Sequence, residues 1–255
     1  MRDAATIELR VDGHGLADIV SGTVTKAIEP LADTVEIQGS EKWLSGRSLR
    51  TLPVEQGDPC EFVVDGKVIV TGFVTRVPVS YSAQSHELAI SCMSKSGHLP
   101  TTSHAGSRRV WRDVTLDRIA EDVCAPYGIT VTVAPGVDLG EPFKRFAASI
   151  GEQSWSLVRR ALQARGLWMM SRADGSVEII RSGLQRYATP IAGGSKIRSG
   201  SRDDAFLERY SEVHVIGQQA GSVDWNAEQA AHGHAIARDP GVESYRPLVI
   251  HESGE

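Results

Sequence analysis

The side chains of this chain that could do chemistry are histidines, cysteines, acidic pairs and a glycine-rich loop, and their spacing decides whether they can act together. His86-Glu87 and His251-Glu252 each open like H-E-x-x-H, in which two histidines four apart share a helical face and bind zinc. Both lack the second histidine. The first lies in the strand-like run HELAI, and the second meets Gly254 where a helix would have to continue. His232 and His234 are two apart, so an extended segment would place them on one face, but no third ligand is evident. Cys60, Cys92 and Cys124 are widely spaced and each sits in an apolar stretch. A disulfide or metal framework calls for close pairs, so these thiols are expected as small buried hydrophobes in a reducing compartment.

The loop Gly193 to Gly200 carries Lys196 and Arg198. A phosphate cradle needs G-x-x-x-x-G-K-[ST] between a strand and a helix. The order here is different and no helix follows, so a solvated loop is expected. Glu121-Asp122 and Asp203-Asp204 are sequence neighbours, and a helix face or cap accounts for them, whereas glycosidic carboxylates must flank a substrate from two sides. No G-x-S-x-G elbow occurs. Trp43, Trp111, Trp155, Trp168 and Trp225 could line a sugar cleft, but Trp155 and Trp168 lie in patterned elements that predict core positions. The chain therefore reads as having no catalytic residue, no metal site and no cofactor, nucleotides included.

A formal net charge of −5 argues against sequence-independent nucleic-acid binding, which needs basic surface to displace counterions. No apolar run reaches the roughly 20 residues of a membrane helix, and charges occupy the place of a signal peptide's apolar core in MRDAATIELRVDG. The expectation is a chain made and kept in a cytoplasm until it is moved, without stable membrane insertion. At 255 residues it can bury a sizeable core.

Residues 5–99 read as all β. TIELRVDG alternates with Ile7, Leu9 and Val11 on one face, TVEIQ with Val35 and Ile37, and HELAISCM with Leu88, Ile90 and Cys92. Asp65-Gly66 separates two strand-forming runs as a two-residue hairpin turn, both positions of which need φ > 0. The second run predicts Val68, Val70 and Val74 on one face and Ile69, Phe73 and Val77 on the other, so both faces require cover. In DVTLDRIAEDVCAPYG, Leu116, Ile119, Ala120, Val123 and Cys124 form a helical stripe, with Thr115 as cap, Asp117 in the first turn, Pro126 as stop and Gly128 as left-handed exit. A strand follows in ITVTV. A second helix is predicted in SWSLVRRALQARG, with Ser154 as cap, Trp155, Val158, Ala161 and Leu162 inward, Arg159, Arg160 and Arg165 toward the negative end, and Gly166 as terminator. LWMM and VEII then form a hairpin turning at Asp174-Gly175. Residues 206–217 read as strand, residues 218–240 as a long polar loop with about one helical turn, and Val249-Ile250 as the start of a strand. The fold class is mainly β with an α/β insert. Residues 1–103 form a small β-barrel, 104–182 an α/β domain, and 183–255 a connector and part of a second β-barrel.

In order, LDRIAEDVCAPYGITV, SWSLVRRALQARGLWMMSRADGSVEIIRSG, RYSEVHVIGQ and DPGVESYRPLVI resemble the tail baseplate hub protein of Mu-like contractile phages, as does GDPCEFVVDGKVIVTGFVTRVPVSYSAQSHELAISCMSKSGHL. The resemblance spans nearly the whole chain, and YRPLVI after DPG is its most telling part. GLADIVSGTV departs from the family, which has an aromatic residue after the first turn. The resemblance implies a structural virion component, not an enzyme: a homotrimer in which two related barrels per chain make a pseudo-sixfold ring joining the tail tube to the central spike. It implies as partners the spike and tube proteins of the same tail, and as an interface Tyr245, Arg246 and Pro247. It also implies about a hundred further residues after YRPLVI, so residues 206–255 are expected to form an incomplete sheet that a partner completes. The other readings are a hub or spike base of a type VI secretion system or phage-tail-like bacteriocin, and a tail-associated peptidoglycan hydrolase.

Overall fold

The structure, a computed structural model, describes residues 6–16, 19–40, 54–81, 86–183, 209–218 and 232–253. It divides into two compact units, Met1–Gln185 and Arg186–Glu255. Among the described residues no helix is long and apolar enough to cross a membrane.

The first unit begins with β1 (Ile7–Val11), β2 (His14–Leu16), β3 (Ile19–Thr25), β4 (Thr34–Ser40), β5 (Pro59–Val64), β6 (Lys67–Arg76), β7 (Val79–Tyr81) and β8 (His86–Ser94). They form one sheet in the order β2-β1-β5-β6-β8-β4-β3, with β7 on β8. The sheet is curled. Gly22 of β3 lies against the Phe62 ring of β5, so that a Cβ there would be 3.7 Å from it, although several strands separate the two along the sheet. Leu9, Val11, Val35, Ile37, Ile90 and Cys92 fill the curl, the inward set of the alternating runs. Asp65 and Gly66 have φ of 49° and 76° and connect Val64 directly to its partner Lys67, the geometry of a type I′ turn. Asp12-Gly13 repeats it between β1 and β2. Because β1 and β5 are antiparallel, each turn closes the other hairpin: Asp65 N donates to Thr6 O at 2.9 Å, and Asp12 N to Pro59 O at 3.0 Å.

A short helix α1 (His98–Thr101) leads into β9 (Val110–Trp111), α2 (Leu116–Cys124), β10 (Val131–Val133), β11 (Phe146–Ala147), α3 (Ser154–Gln163), β12 (Trp168–Ser171) and β13 (Val177–Ile180). The sheet order is β10-β13-β12, with β9 and β11 paired separately. All five stripe residues of α2 are buried, and Gly128 has a φ of 63°. The cap of α3 differs from expectation. Gln153 occupies it, and Ser154 is the first helical residue, its hydroxyl drawn to Tyr127 Oη at 3.0 Å. Trp168 is not core. It is 46% exposed because β12 turns Met169 and Ser171 inward. Trp111 is fully buried instead, and its Nε1–H donates to Asp122 Oδ2 at 2.9 Å.

The outer face of β6 is covered from within the chain. Thr71 Oγ1–H donates to the Ala173 carbonyl at 2.8 Å, and the Phe73 ring stacks on His98 at 4.1 Å, which in turn stacks on Tyr127. Strict alternation along β6 fails at two bulges, one opposite Phe62/Val63 and one between Val74 and Arg76. A bulge resets which side a side chain takes. Ile69 and Val77 accordingly pack against the barrel core and do not join Phe73 on the outer side. The β3–β4 loop adds a second tie: Leu31 is buried in the α/β core, and Glu29 Oε1 accepts from Trp155 Nε1 at 3.2 Å and from Arg159 at 2.8 Å.

The second unit holds β14 (Glu212–Gln218), β15 (His232–Arg238) and β16 (Pro247–Ser253) in the order β15-β14-β16. β14 pairs antiparallel with β15 and parallel with β16. The strand at 232–238 corrects the loop expected there. HGHAIAR is rich in Gly and Ala, which are depleted in strands, and pairing with β14 overrides that weak preference. The crossover from β15 to β16 closes around one residue: Ser211 accepts from Asp239 N at 3.0 Å and donates to Arg246 O at 2.9 Å, and its Oγ accepts from Arg246 N at 2.8 Å.

Candidate functional site

The pairing register sorts the side chains of the second unit onto two faces. One face carries Glu212, His214 and Ile216 of β14, His234, Ile236 and Arg238 of β15, and Val249 and His251 of β16. The other carries Val213 and Val215, Ala235 and Ala237, and Leu248 and Ile250. A sheet with one solvated face should be apolar on one side only. Here the second face is apolar, the first sets Ile216, Ile236 and Val249 among charged and imidazole side chains, and apolar side chains on both are open: Val215, Ile216, Ile236 and Ile250 are exposed, and Val249 is 61% exposed. Among the described residues nothing pairs with the outer edge of β16. Such a surface is fitted to association, because exposed apolar side chains lose free energy by leaving water and the open edge offers backbone groups for pairing with another strand. Polar order on the first face comes from Glu212, whose carboxyl is held below its ordinary range chiefly by a hydrogen bond from His214, with Arg238 assisting against desolvation.

The three residues assigned to an interface from the sequence take separate positions. Tyr245 is 78% exposed. Arg246 has its backbone clasped by Ser211, and its Nε–H donates to Arg209 O at 3.2 Å. Pro247 opens β16. At the other hairpin turn, Gly175 has a φ of 83° and its N–H donates to Arg172 O, while Asp174 Oδ1 accepts from the Ser176 amide and hydroxyl. These two bonds hold the Asp174 carboxyl low. Ser171 pairs with Val177, so five residues connect these strands, three more than at the Asp65-Gly66 turn.

The residues weighed for chemistry are placed as follows. Cys60 and Cys92 lie in the barrel core, where a hydrogen bond to Cys92 and burial push the Cys60 thiol far up. Burial alone pushes Cys124 up to about 12. Neither Cys60 nor Cys124 offers a thiolate. Asp122 gathers Trp111, Arg108 and Arg118. Burial opposes its charge, but these partners outweigh it and keep the carboxyl below its ordinary range. It is an anchor for Trp111. His86 lies on β8 opposite Tyr81, and His251 on β16. Among the described residues no three His, Cys, Asp or Glu side chains converge as a metal-ligand set. Gly193–Gly200, Asp203-Asp204, Trp43, Trp225 and the His232 side chain lie outside the described residues. Sequence reasoning missed His214 and the register that brings it to His234. Alternation in EVHVIG was the available signal, but its partner strand was unrecognised.

Three family models match in chain order: the N-terminal domain of the Mu phage baseplate assembly protein GpP-like family over residues 6–93, the second domain of the baseplate hub protein gp44-like family over residues 96–181, and the third domain of the tail protein NMB1110-like family over residues 209–254. The chain is 27% identical over 250 residues to the baseplate hub protein gp44 of Escherichia phage Mu. Domain by domain, the chain is similar to Mu-like baseplate hub proteins. It spans 96% of its own length in that match and 65% of the length of the Mu protein. The fold is shared with the 43 kDa tail protein of prophage MuSo2 from Shewanella oneidensis, with a TM-score of 0.76 and 24% identity. It is shared equally with a tail protein from Neisseria meningitidis MC58, with a TM-score of 0.76 and 19% identity. The chain covers 72% of each of those two chains.

Proposed function

We propose that this chain is a structural hub of a contractile-tail baseplate that acts as a homotrimer. It joins the tail tube to the central spike during virion assembly and host-envelope penetration. Residues 1–103 and part of 183–255 contribute two related barrels per chain, with the α/β domain at 104–182 bracing the first, so that three chains make a ring of pseudo-sixfold symmetry. Its partners are further copies of itself and the spike and tube proteins of the same tail. It is assembled in the host cytoplasm and ends in the virion baseplate. The observation that supports this reading most strongly is the sheet β15-β14-β16, with exposed apolar side chains on both faces and an unpaired edge among the described residues. No catalytic role is assigned to any residue.

The test is the mass of the full chain in solution across a concentration series, with negative-stain images of the same sample. Threefold rings are expected. A monomer at every concentration, with slow amide exchange throughout β14 to β16, refutes the assembly. A zymogram on bacterial cell walls tests the structural role, and clearing that depends on a single carboxylate refutes it.

A further inference from the structure

His214 of β14 and His234 of β15 stand diagonally across their strand pair on one face, since His214 pairs with Ile236 and His234 with Ile216. The rings stack with centroids 5.3 Å apart and planes 17° apart. His214 Nδ1 and His234 Nε2 approach to 3.1 Å. The other nitrogen of His214, Nε2, lies 3.2 Å from Glu212 Oε1, and Glu212 Oε2 lies 3.5 Å from Arg238 Nε. A carboxylate beside Nε2 keeps the imidazole proton there, so the lone pair of Nδ1 faces His234.

We propose that His214 Nδ1 and His234 Nε2 form a two-histidine site for a divalent transition-metal ion of the zinc, nickel or copper class, oriented by Glu212. Two nitrogens bound to one ion at about 2.0–2.1 Å lie about 2.9–3.4 Å apart at octahedral to tetrahedral angles, and the observed separation falls inside that interval. A metal-bound histidine nearly always donates its other N–H to a carboxylate or carbonyl, which fixes ring and tautomer. Glu212 makes that contact, and Arg238 holds Glu212. Imidazole ligands select zinc, copper and nickel over magnesium and calcium. The site opens to solvent at His234, so water fills the remaining positions. On binding, the proton between the two rings leaves His234 Nε2, either for solvent or for Nδ1 of the same ring. Affinity therefore falls as pH falls. His251 lies on the same face opposite Ile216, but among the described residues no three such side chains converge, so it takes no part.

The test titrates the full chain with zinc chloride and nickel chloride by calorimetry, and with copper chloride followed by electron paramagnetic resonance. One saturable ion per chain is expected, with two equatorial nitrogens in the copper spectrum. Glu212→Gln weakens it about tenfold or more. His214→Ala and His234→Ala abolish it, and His251→Ala leaves it unchanged. Far-ultraviolet spectra of the metal-free variants verify folding, and His234→Gln repeats the test with a polar side chain retained. The proposal is overturned by an absence of saturable binding in the wild-type chain, by undiminished binding in folded His214→Ala or His234→Gln, or by loss of binding in His251→Ala.

Discussion

Replacing Gly72 with alanine probes the close approach of β6 to β8, on which both the barrel and the packing of the α/β domain depend. A Cβ at position 72 would stand 1.8 Å from the Met93 carbonyl oxygen and 2.7 Å from the Cα of Ser94. Both are backbone atoms, so no change of rotamer relieves the clash. The strands must part where Gly72 faces Ser94 and Phe73 faces Met93. That forfeits about two ladder hydrogen bonds at about 1 kcal/mol each. Overpacking beside a filled core adds about 1–3 kcal/mol. The sum is about 3–5 kcal/mol, a large share of the roughly 5–15 kcal/mol that keeps a domain folded. The shift also carries Phe73 away from the His98 ring, so the loss reaches the α/β core. Urea unfolding followed by the near-ultraviolet signal of the buried Trp111 and Trp155 reads it out. With a slope of about 1–3 kcal/mol/M, the midpoint should fall by about 1 M or more. Gly22→Ala is the control, because its Cβ would meet the Phe62 ring at an ordinary 3.7 Å. A Gly72→Ala midpoint equal to that of the control would refute the reasoning.

Gly66→Val should cost about 1 kcal/mol or more in chemical denaturation, all of it backbone, since nothing lies within 4 Å of the added Cβ and a β-branched residue resists φ of 76°. Gly66→Asn should cost less, and equal losses in the two variants would argue against a φ origin. Thr71→Val should lower stability by about 1 kcal/mol by leaving the Ala173 carbonyl without its donor, measurable as a thermal shift that Thr71→Ser largely avoids. Asp122 has a depressed folded-state pKa. Its stabilisation is therefore complete above the unfolded value of about 3.9 and is lost as pH falls below it. Acid titration of stability should be shallower in Asp122→Asn, and identical slopes would exclude this carboxylate as a contributor. In hydrogen exchange on the isolated chain, the amides of β14, paired on both sides, should be slower than those of β15 and β16.

Where local chemistry decides structure, the sequence is easily read. Asp65-Gly66 has few alternatives, because two positive φ values suit that dipeptide and few others. The α2 stripe is legible because five apolar positions recur at helical spacing on an otherwise polar segment. Legibility fails where long-range pairing decides. β9 and β11 are each two residues long and exist only because Trp111 meets Phe146 across 35 positions of sequence. The two bulges in β6 invert the sides assigned to Ile69 and Val77, and they arise from the partner strands. β15 has too little intrinsic strand preference to announce itself, and the pairing of His214 with His234 disappears with it. The exposed apolar side chains of the β15-β14-β16 sheet carry no local mark of their exposure. Composition alone treats Val213, Val215, Leu248 and Ile250 as ordinary core.

The parallel pairing of β14 with β16 has a mechanical consequence. Tension applied between the start of β14 and the end of β16 pulls at opposite ends of two strands running the same way, so all seven register pairs resist together in shear. Tension between the start of β14 and the end of β15 acts at one end of an antiparallel hairpin and opens its pairs one after another. Forced unfolding follows the unfolding barrier more than equilibrium stability, and loading many weak bonds at once raises that barrier. The clasp around Ser211 gathers the starts of β14 and β16 and the end of β15 at the same corner. Force entering there is shared before any strand begins to peel. A small sheet of this connectivity is therefore stiff along one axis and yielding along another, and the direction of load selects which.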